Sequence, residues 1–259
     1  MKTKHITPYD DINRICLMLS EKLKNILGNT LIGIYLTGSL SYGDFNTGSS
    51  DIDFLIVLHT LPSEEQRKKI QDMHKKIAEQ HPIWAKRIEA SYITKDMLQS
   101  NESPKTPRPY VNEGKFWDAA PYGSEWLLNL YVLQDCGIAL VGQEPKMLIG
   151  RPIDIHEVRL ASKNDFYQEW KPLLTEPSAL NDSHSQAYVI LTLCRILHRA
   201  KNDNVVSKKE AAAWVNEAYN QQWSSLIKKA ENWYYEQELN EIDEIFRFIR
   251  FIATELEAG

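Results

Sequence analysis

The stretch GSLSYGDFNTGSSDID, Gly38 to Asp53, decides how this chain of 259 residues is read. An apolar run, LIGIYL (Leu31 to Leu36), precedes it, and a second, Phe54-Leu55-Ile56-Val57-Leu58, follows it. Both apolar runs read as strands. A Gly-Ser pair opens the loop between them and Asp-Ile-Asp closes it. Side chains alternate along a strand, so Asp51 and Asp53 are expected on one face. Two neighbouring carboxylates repel, and both stay ionised only with positive charge between them. A divalent metal carrying a nucleoside triphosphate supplies that charge. Gly38 lets the backbone come close to a phosphate, to which the Ser39 hydroxyl and neighbouring N–H groups can donate. The plain alternative is a β-hairpin with a polar loop and two solvent-facing aspartates. A bare Asp-x-Asp fits that equally well, but the ordered set of strand, Gly-Ser, loop, Asp-x-Asp and strand is more specific.

Outward from this stretch the chain alternates helices and strands. Thr7-Pro8 reads as an N-cap and first helical residue. Ile12, Ile15, Cys16, Leu19, Leu23, Ile26 and Leu27 follow at helical spacing, up to Gly28. Pro62-Ser63 opens a second helix with Gln66 placed for a capping box, closed by His81-Pro82. A third strand is expected over Arg87 to Ile93, with Glu89 on its polar face beside the Asp-x-Asp strand. Glu89 is then either an exposed glutamate or a third carboxylate of a site. Asn101 to Gly123, with Pro104, Pro107, Pro109 and Pro121 among aromatics, reads as an irregular loop. Its aromatics, Tyr110, Phe116, Trp117 and Tyr122, either pack the loop down or stack on a sugar or base. A helix from Ser124 to about Asp135, stopped by Gly137, and a short strand, Ile138 to Val141, complete this half.

Beyond residue 150 no strand pattern appears. Asp154 with Glu157, and Ser207-Lys208-Lys209-Glu210, are capping boxes that open helices. Leu180 to Ser185 is a polar break before a helix over Gln186 to Lys201. The last helix repeats Ile242, Ile245, Phe246, Ile249, Ile252, Ala253 and Leu256 at three and four. The expectation is an α+β domain over residues 1–150, a mixed sheet with helices, followed by an all-α bundle over 151–259.

Composition limits the choice of function. With 43% apolar and 25% charged residues the chain can pack an ordinary core. A net charge of −5 disfavours nonspecific nucleic-acid binding and suits a cationic small substrate. The three cysteines, Cys16, Cys136 and Cys194, are too scattered for a disulfide framework or a zinc site. The start, MKTKHITPYDD, lacks the apolar core of a signal peptide, and no apolar run reaches membrane-spanning length. A cytoplasmic protein is expected.

The opening stretch resembles the active-site signature of polymerase-β-like nucleotidyltransferases. The run YVILTLCRILHRAKNDNVVSKKEAAAWV, Tyr188 to Val215, narrows the resemblance. It is similar to the helical domain of the aminoglycoside adenylyltransferases of streptomycin/spectinomycin type, with their leucine-threonine-leucine…arginine helix and a Ser/Pro-Lys-x-x-Ala-x-x-Trp helix after a short turn. The resemblance also takes in Gly137 to Gly142 and spans nearly the whole chain in the same order. It implies transfer of AMP from ATP to a substrate hydroxyl, with pyrophosphate leaving. It implies Asp51 and Asp53 as the Mg2+-binding pair, Gly38 and Ser39 as the phosphate loop, and Glu89 as the base. Arg195 and Lys209 match basic residues of the helical domain, the lysine one that reaches across a cleft to the triphosphate. A cation in a helix's first turn opposes the helix dipole, so Lys209 gains nothing structurally there. An interhelical salt bridge is the alternative for Arg195.

The chain also departs from the family. The loop from Gly38 to Asp51 is two residues longer than in the streptomycin enzymes. Tyr188 stands where they carry asparagine, and Glu125 where an aspartate is expected. Trp170 and Asp182 are the nearest counterparts of the residues used on streptomycin. The expected substrate contacts are thus Trp117, Glu125, Trp170, Asp182 and Tyr188. The expected partners are ATP and a cationic acceptor, with no nucleic acid and no membrane, the protein acting as a monomer. The alternatives are transfer to a protein, an RNA or another small molecule, or a nucleotide-binding module without turnover.

Overall fold

The computed structural model describes residues 6–100, 102–123, 125–234 and 237–258. They form two compact units: the first ends at Pro152 and the second starts at Ile153, with residues 46–49 grouped with the second.

The first unit is a mixed sheet with helices. Its strands are β1 (Leu31–Leu36), β2 (Ile52–Leu58), β3 (Ile88–Thr94), β4 (Arg108–Asn112), β5 (Lys115–Ala120) and β6 (Ile138–Val141), in the spatial order β5-β4-β3-β2-β1-β6. Its helices are α1 (Asp10–Leu27), the single turn α2 (Gly38–Ser41), α3 (Glu64–Gln80), the short α4 (Lys95–Leu98) and α5 (Trp126–Cys136). Only β2 and β3 are parallel. A parallel pair needs a crossover, and α3 supplies it. Ser63 caps α3 in the expected box with Gln66.

The period-2 alternation of β2 and β3 sorts their residues between two faces. Ile52, Phe54, Ile56 and Leu58 of β2 and Ile88, Ala90 and Tyr92 of β3 are buried in one cluster with Ile12, Ile15, Leu19 and Leu23 of α1 and Ile70, Met73 and Ile77 of α3. Each of the isoleucine, leucine, phenylalanine and methionine side chains among them contributes about 1.5–3 kcal/mol by leaving water. The helices α1 and α3 therefore cover one face, and the odd-numbered residues, Asp53 and Glu89 among them, point to the other.

Local differences from the sequence expectation have identifiable causes. Helix α1 begins at Asp10, not Pro8, because Thr7 is engaged by Asn13. The Thr7 N–H and hydroxyl both donate to Asn13 Oδ1, at 2.8 and 3.0 Å. The Gly-Ser pair opens one helical turn, α2, instead of a flexible loop, with the Ser41 hydroxyl donating to the Gly38 carbonyl at 2.7 Å. The segment expected to be an irregular loop holds the hairpin β4–β5. Glu113 and Gly114 both have positive φ, 49° and 74°, and join the paired residues Asn112 and Lys115. That is the two-residue turn whose twist matches a hairpin. Pro109 hid it: the residue lies inside β4, where the pairing with β5 shifts register between Arg108 and Tyr110. Ser124 and Asn101, the expected starts of a helix and of the loop, lie outside the described residues, and α5 is seen from Trp126.

The second unit is helical: α6 (Ile155–Asp165), α7 (Ser183–Lys201), α8 (Lys208–Ala218), α9 (Ser224–Glu231) and α10 (Ile242–Glu257). Helix α7 packs against the other four and is buried on most of its circumference, as a central helix must be. It starts three residues earlier than expected because Asp182 caps it, accepting from the Ser185 N–H at 2.8 Å. The Asp154 and Ser207 capping boxes are both present. Cys16 and Cys194 are buried and all three cysteines are free thiols. Among the described residues no helix is long and apolar enough to cross a membrane.

Candidate active site

The parallel pairing of β2 with β3 sets Asp53 directly beside Glu89. Directly paired residues share a face, so these two carboxylates are adjacent on the side away from α1 and α3. Asp51 lies two residues before Asp53, just ahead of β2. Gly38 meets them from the end of β1. The Thr37 N–H donates to the Asp53 carbonyl at 3.0 Å, and Gly38 turns with φ +60°. A Cβ on Gly38 would collide with the Asp53 carboxylate. Glycine is therefore required twice, by the left-handed backbone and by the carboxylate resting on it. Ser39 is partly buried in α2, and its carbonyl accepts from the Asp44 N–H at 3.1 Å.

A buried arginine backs this group. Arg87, just ahead of β3, is 6% exposed and stacks on Trp84 at 4.5 Å. Its Nε donates to the Ser50 carbonyl at 3.0 Å, a second guanidinium nitrogen donates to the same oxygen, and Nε lies 3.9 Å from the Asp51 carboxylate. Arg87 thus supplies positive charge where the Asp-x-Asp begins.

Further along the sheet, β4 and β5 add residues to the Glu89 face. Ser91 pairs with Tyr110 and Tyr110 with Trp117, so Asp53, Glu89, Ser91, Tyr110 and Trp117 stand on one face across four strands. At the usual strand spacing and rise Trp117, three strands over and two residues along, is about 16 Å from Asp53. It is 52% exposed. Burial raises the Glu89 carboxyl above the usual carboxylate range. The Tyr110 hydroxyl donates to it and opposes the rise, as does the Arg108 charge, while the Asp51 and Glu125 carboxylates reinforce it. Glu125, at the N-terminal end of α5, is exposed and folded back against Gly123.

The oxygen-only donor set suits a hard cation. Among the described residues no three His, Cys, Asp or Glu side chains form a group that could hold a metal ion by themselves. Magnesium needs no such cage: it is bound through one or two carboxylates and completes its shell with phosphate oxygens and water. Asp51 and Asp53 fit that pattern.

The second unit gathers its own candidates. Trp170 ends a π-helical turn, Phe166–Trp170, that continues α6, and its indole N–H donates to Asp165 at 2.9 Å. Its ring lies 6.0 Å from Tyr188 of α7, which is 42% exposed. Arg195 lies seven residues further on the same face of α7, and its Nε is buried without a hydrogen-bond partner among the described residues. Asp182 is engaged as the cap of α7. Partial burial pushes its carboxyl up, but the Ser185 hydroxyl and N–H outweigh that and hold it below its ordinary value.

Lys209 is exposed, whereas Lys208 is partly buried with its ammonium 4.6 Å from the Tyr188 ring. The Ser/Pro-Lys-x-x-Ala-x-x-Trp spacing already carried this distinction. Counted back from Trp214 through Ala211, it puts the lysine at 208. Arg87 and Arg108 also escaped the sequence reading as site residues, and Tyr110 entered it only as a loop aromatic. The last two lie in the hairpin that the prolines disguised.

Residues 17–106 match the family model described as nucleotidyltransferase domain, and residues 160–257 match the one described as aminoglycoside adenylyltransferase, C-terminal domain. No curated protein matches the chain. Among solved structures the fold is similar to that of spectinomycin adenyltransferase AAD(9) from Enterococcus faecialis, crystallised with ATP and spectinomycin. The two share 20% sequence identity over 93% of this chain and 97% of that one, with a TM-score of 0.72. That likeness carries the fold, and the two family models, in this order along one chain, carry the rest: the protein is a nucleotidyltransferase of the aminoglycoside adenylyltransferase family.

Proposed function

We propose that this enzyme transfers AMP from ATP, with magnesium, to a hydroxyl of an aminoglycoside-type antibiotic of the streptomycin and spectinomycin kind. We take residues 1–150 as its nucleotidyltransferase domain and 151–259 as its helical domain. The observation that carries the reading is the pairing of Asp53 with Glu89 across parallel strands, with Gly38 turning against the Asp53 carboxylate. Asp51 and Asp53 would hold magnesium, which when bound neutralises the triphosphate. The Gly38–Ser39 turn binds the phosphates. The acceptor oxygen bonds to the α-phosphorus, its proton passes to Glu89, the bond from the α-phosphorus to the bridging oxygen breaks, and pyrophosphate leaves. The burial that raises the Glu89 carboxyl makes it a better base than an exposed glutamate.

Trp117 and Glu125 of the first unit, and Trp170, Asp182 and Tyr188 of the second, are the proposed acceptor positions. Arg195 and Lys209, or Lys208 in its place, are the proposed nucleotide contacts. Spectinomycin is the first acceptor to test, because an enzyme of the same fold was crystallised with ATP and spectinomycin. The test is mass spectrometry of spectinomycin, streptomycin and other aminoglycosides incubated with the protein and ATP, with magnesium or with a chelator. One compound is expected to gain AMP, and only with the metal. No gain on any compound, with ATP still bound, would discard the antibiotic as acceptor.

A further inference from the structure

We infer that Tyr110 is a positioning residue for Glu89, its hydroxyl fixing the carboxylate where it must stand to take the acceptor's proton. The inference rests on the proposed role of Glu89 as base. Strand β4 runs antiparallel to β3 with Tyr110 opposite Ser91, so Glu89 is the diagonal neighbour of Tyr110 on the same face. A tyrosine is long enough to span that diagonal, and its hydroxyl donates to the Glu89 carboxylate. The bond is needed there because Asp51 and Glu125 both put negative charge near Glu89 and favour its turning away.

Tyr110 is itself held on several sides. Arg108, two residues earlier on the same strand and 7% exposed, lies with its guanidinium 4.5 Å from the Tyr110 ring and 3.7 Å from the Tyr122 ring. Arg108 in turn donates to the Ser91 hydroxyl at 3.2 Å, to the Ala120 carbonyl at 3.2 Å and to the Pro121 carbonyl. A cation between two aromatic faces, tied to three oxygens, is a rigid support. Trp117 is paired with Tyr110 on the outer side. The hairpin β4–β5 is thus built to hold one phenol in place.

Tyr110→Phe tests this with little risk to the fold, since it keeps the ring, its contact with Arg108 and its pairing with Trp117. With MgATP and spectinomycin, kcat is expected to fall about tenfold with the KM for ATP unchanged, the pattern of an interaction that matters in the transition state. Introduced into Glu89→Gln, the same change is expected to cost nothing further, because residues that act as a unit are not additive. Crystal structures of both proteins are expected to show the Glu89 carboxylate displaced in Tyr110→Phe, a readout that needs no acceptor. Full kcat in Tyr110→Phe, an undiminished loss in the double variant, or an unmoved Glu89 would each overturn the inference. If Tyr110→Phe is harmless while Glu89→Gln is inactive, the positioning role fails and the base role stands. If Glu89→Gln turns over like wild type, it is the base role that fails.

Discussion

The two units present their candidate residues in opposite ways. In the first unit the carboxylates sit on paired strands whose other face is sealed by α1 and α3, so each side chain is placed by the ladder. In the second, the candidates project from separate helices, α7 and α8, and from the turn after α6, with Tyr188 and Lys209 substantially exposed. A strand has two faces, and a one-residue error moves a side chain from one face to the other. A helix offers a graded circumference, and a one-residue error turns the side chain by about 100°. The carboxylates of β2 and β3 were therefore readable from alternation, whereas in the second unit Lys209 was named where the motif spacing from Trp214 gives Lys208.

The strongest test of the strand-built group is Asp53→Asn. This change keeps shape and removes charge, so AMP transfer is expected to fall by about a thousandfold or more, as when electrostatic stabilisation is lost. The thermal midpoint should move little. Wild-type turnover, measured by mass spectrometry of the acceptor, would break the assignment of the metal pair. Glu89→Gln should follow at about a hundredfold or more in kcat, the usual worth of a general base, with ATP binding by calorimetry preserved. Loss of ATP binding to the same extent would instead make Glu89 a metal ligand or a structural group.

These predictions also show where sequence reading ran out. Gly38, Ser39, Asp51 and Asp53 were named from one contiguous motif, and Glu89 from the alternation of the strand beside it. The hairpin that carries Arg108, Tyr110 and Trp117 was not, because a proline inside a strand is a strong signal against one and a glutamate with positive φ is an uncommon turn residue. Tyr110 and Trp117 were named, but only as aromatics in a loop. Their place on the Glu89 face follows from pairing, which no local pattern records. Helix α9 was missed for another reason: its eight residues hold only about two turns of period, too few to count against background.

The sealed face of the first unit makes a separate prediction. His74 of α3 is buried and its Nε2 lies 2.7 Å from the hydroxyl of Tyr92, which points from β3 to the face opposite Glu89. Burial pulls the His74 pKa down to about 4. Its unfolded value is near 6.5, so between these values the unfolded chain binds the extra proton and the folded chain does not. Stability is then full above pH 6.5 and is lost as pH falls toward 4, by roughly 3 kcal/mol in total. Urea unfolding of wild type and His74→Gln across this range checks it. The variant's curve should lack that component, and parallel curves would mean that His74 is not held neutral.

The two lysines that open α8 should differ from each other by a modest factor. Lys208→Ala should raise the KM for ATP about tenfold, the worth of one charge contact, and Lys209→Ala should change it less than about twofold. Lys208 follows the Ser207 cap directly, and its ammonium rests over the Tyr188 ring, which limits where the charge can go. Lys209, one residue on, is exposed to water. Tyr188→Ala should then resemble a weak Lys208→Ala, because removing the ring frees the ammonium without deleting it. If Lys209→Ala proves the costlier change, the motif spacing from Trp214 has been misapplied to this helix. The exposed lysine would then be the one that the nucleotide orders, and contacts in the free protein would be a poor guide to roles in the helical unit.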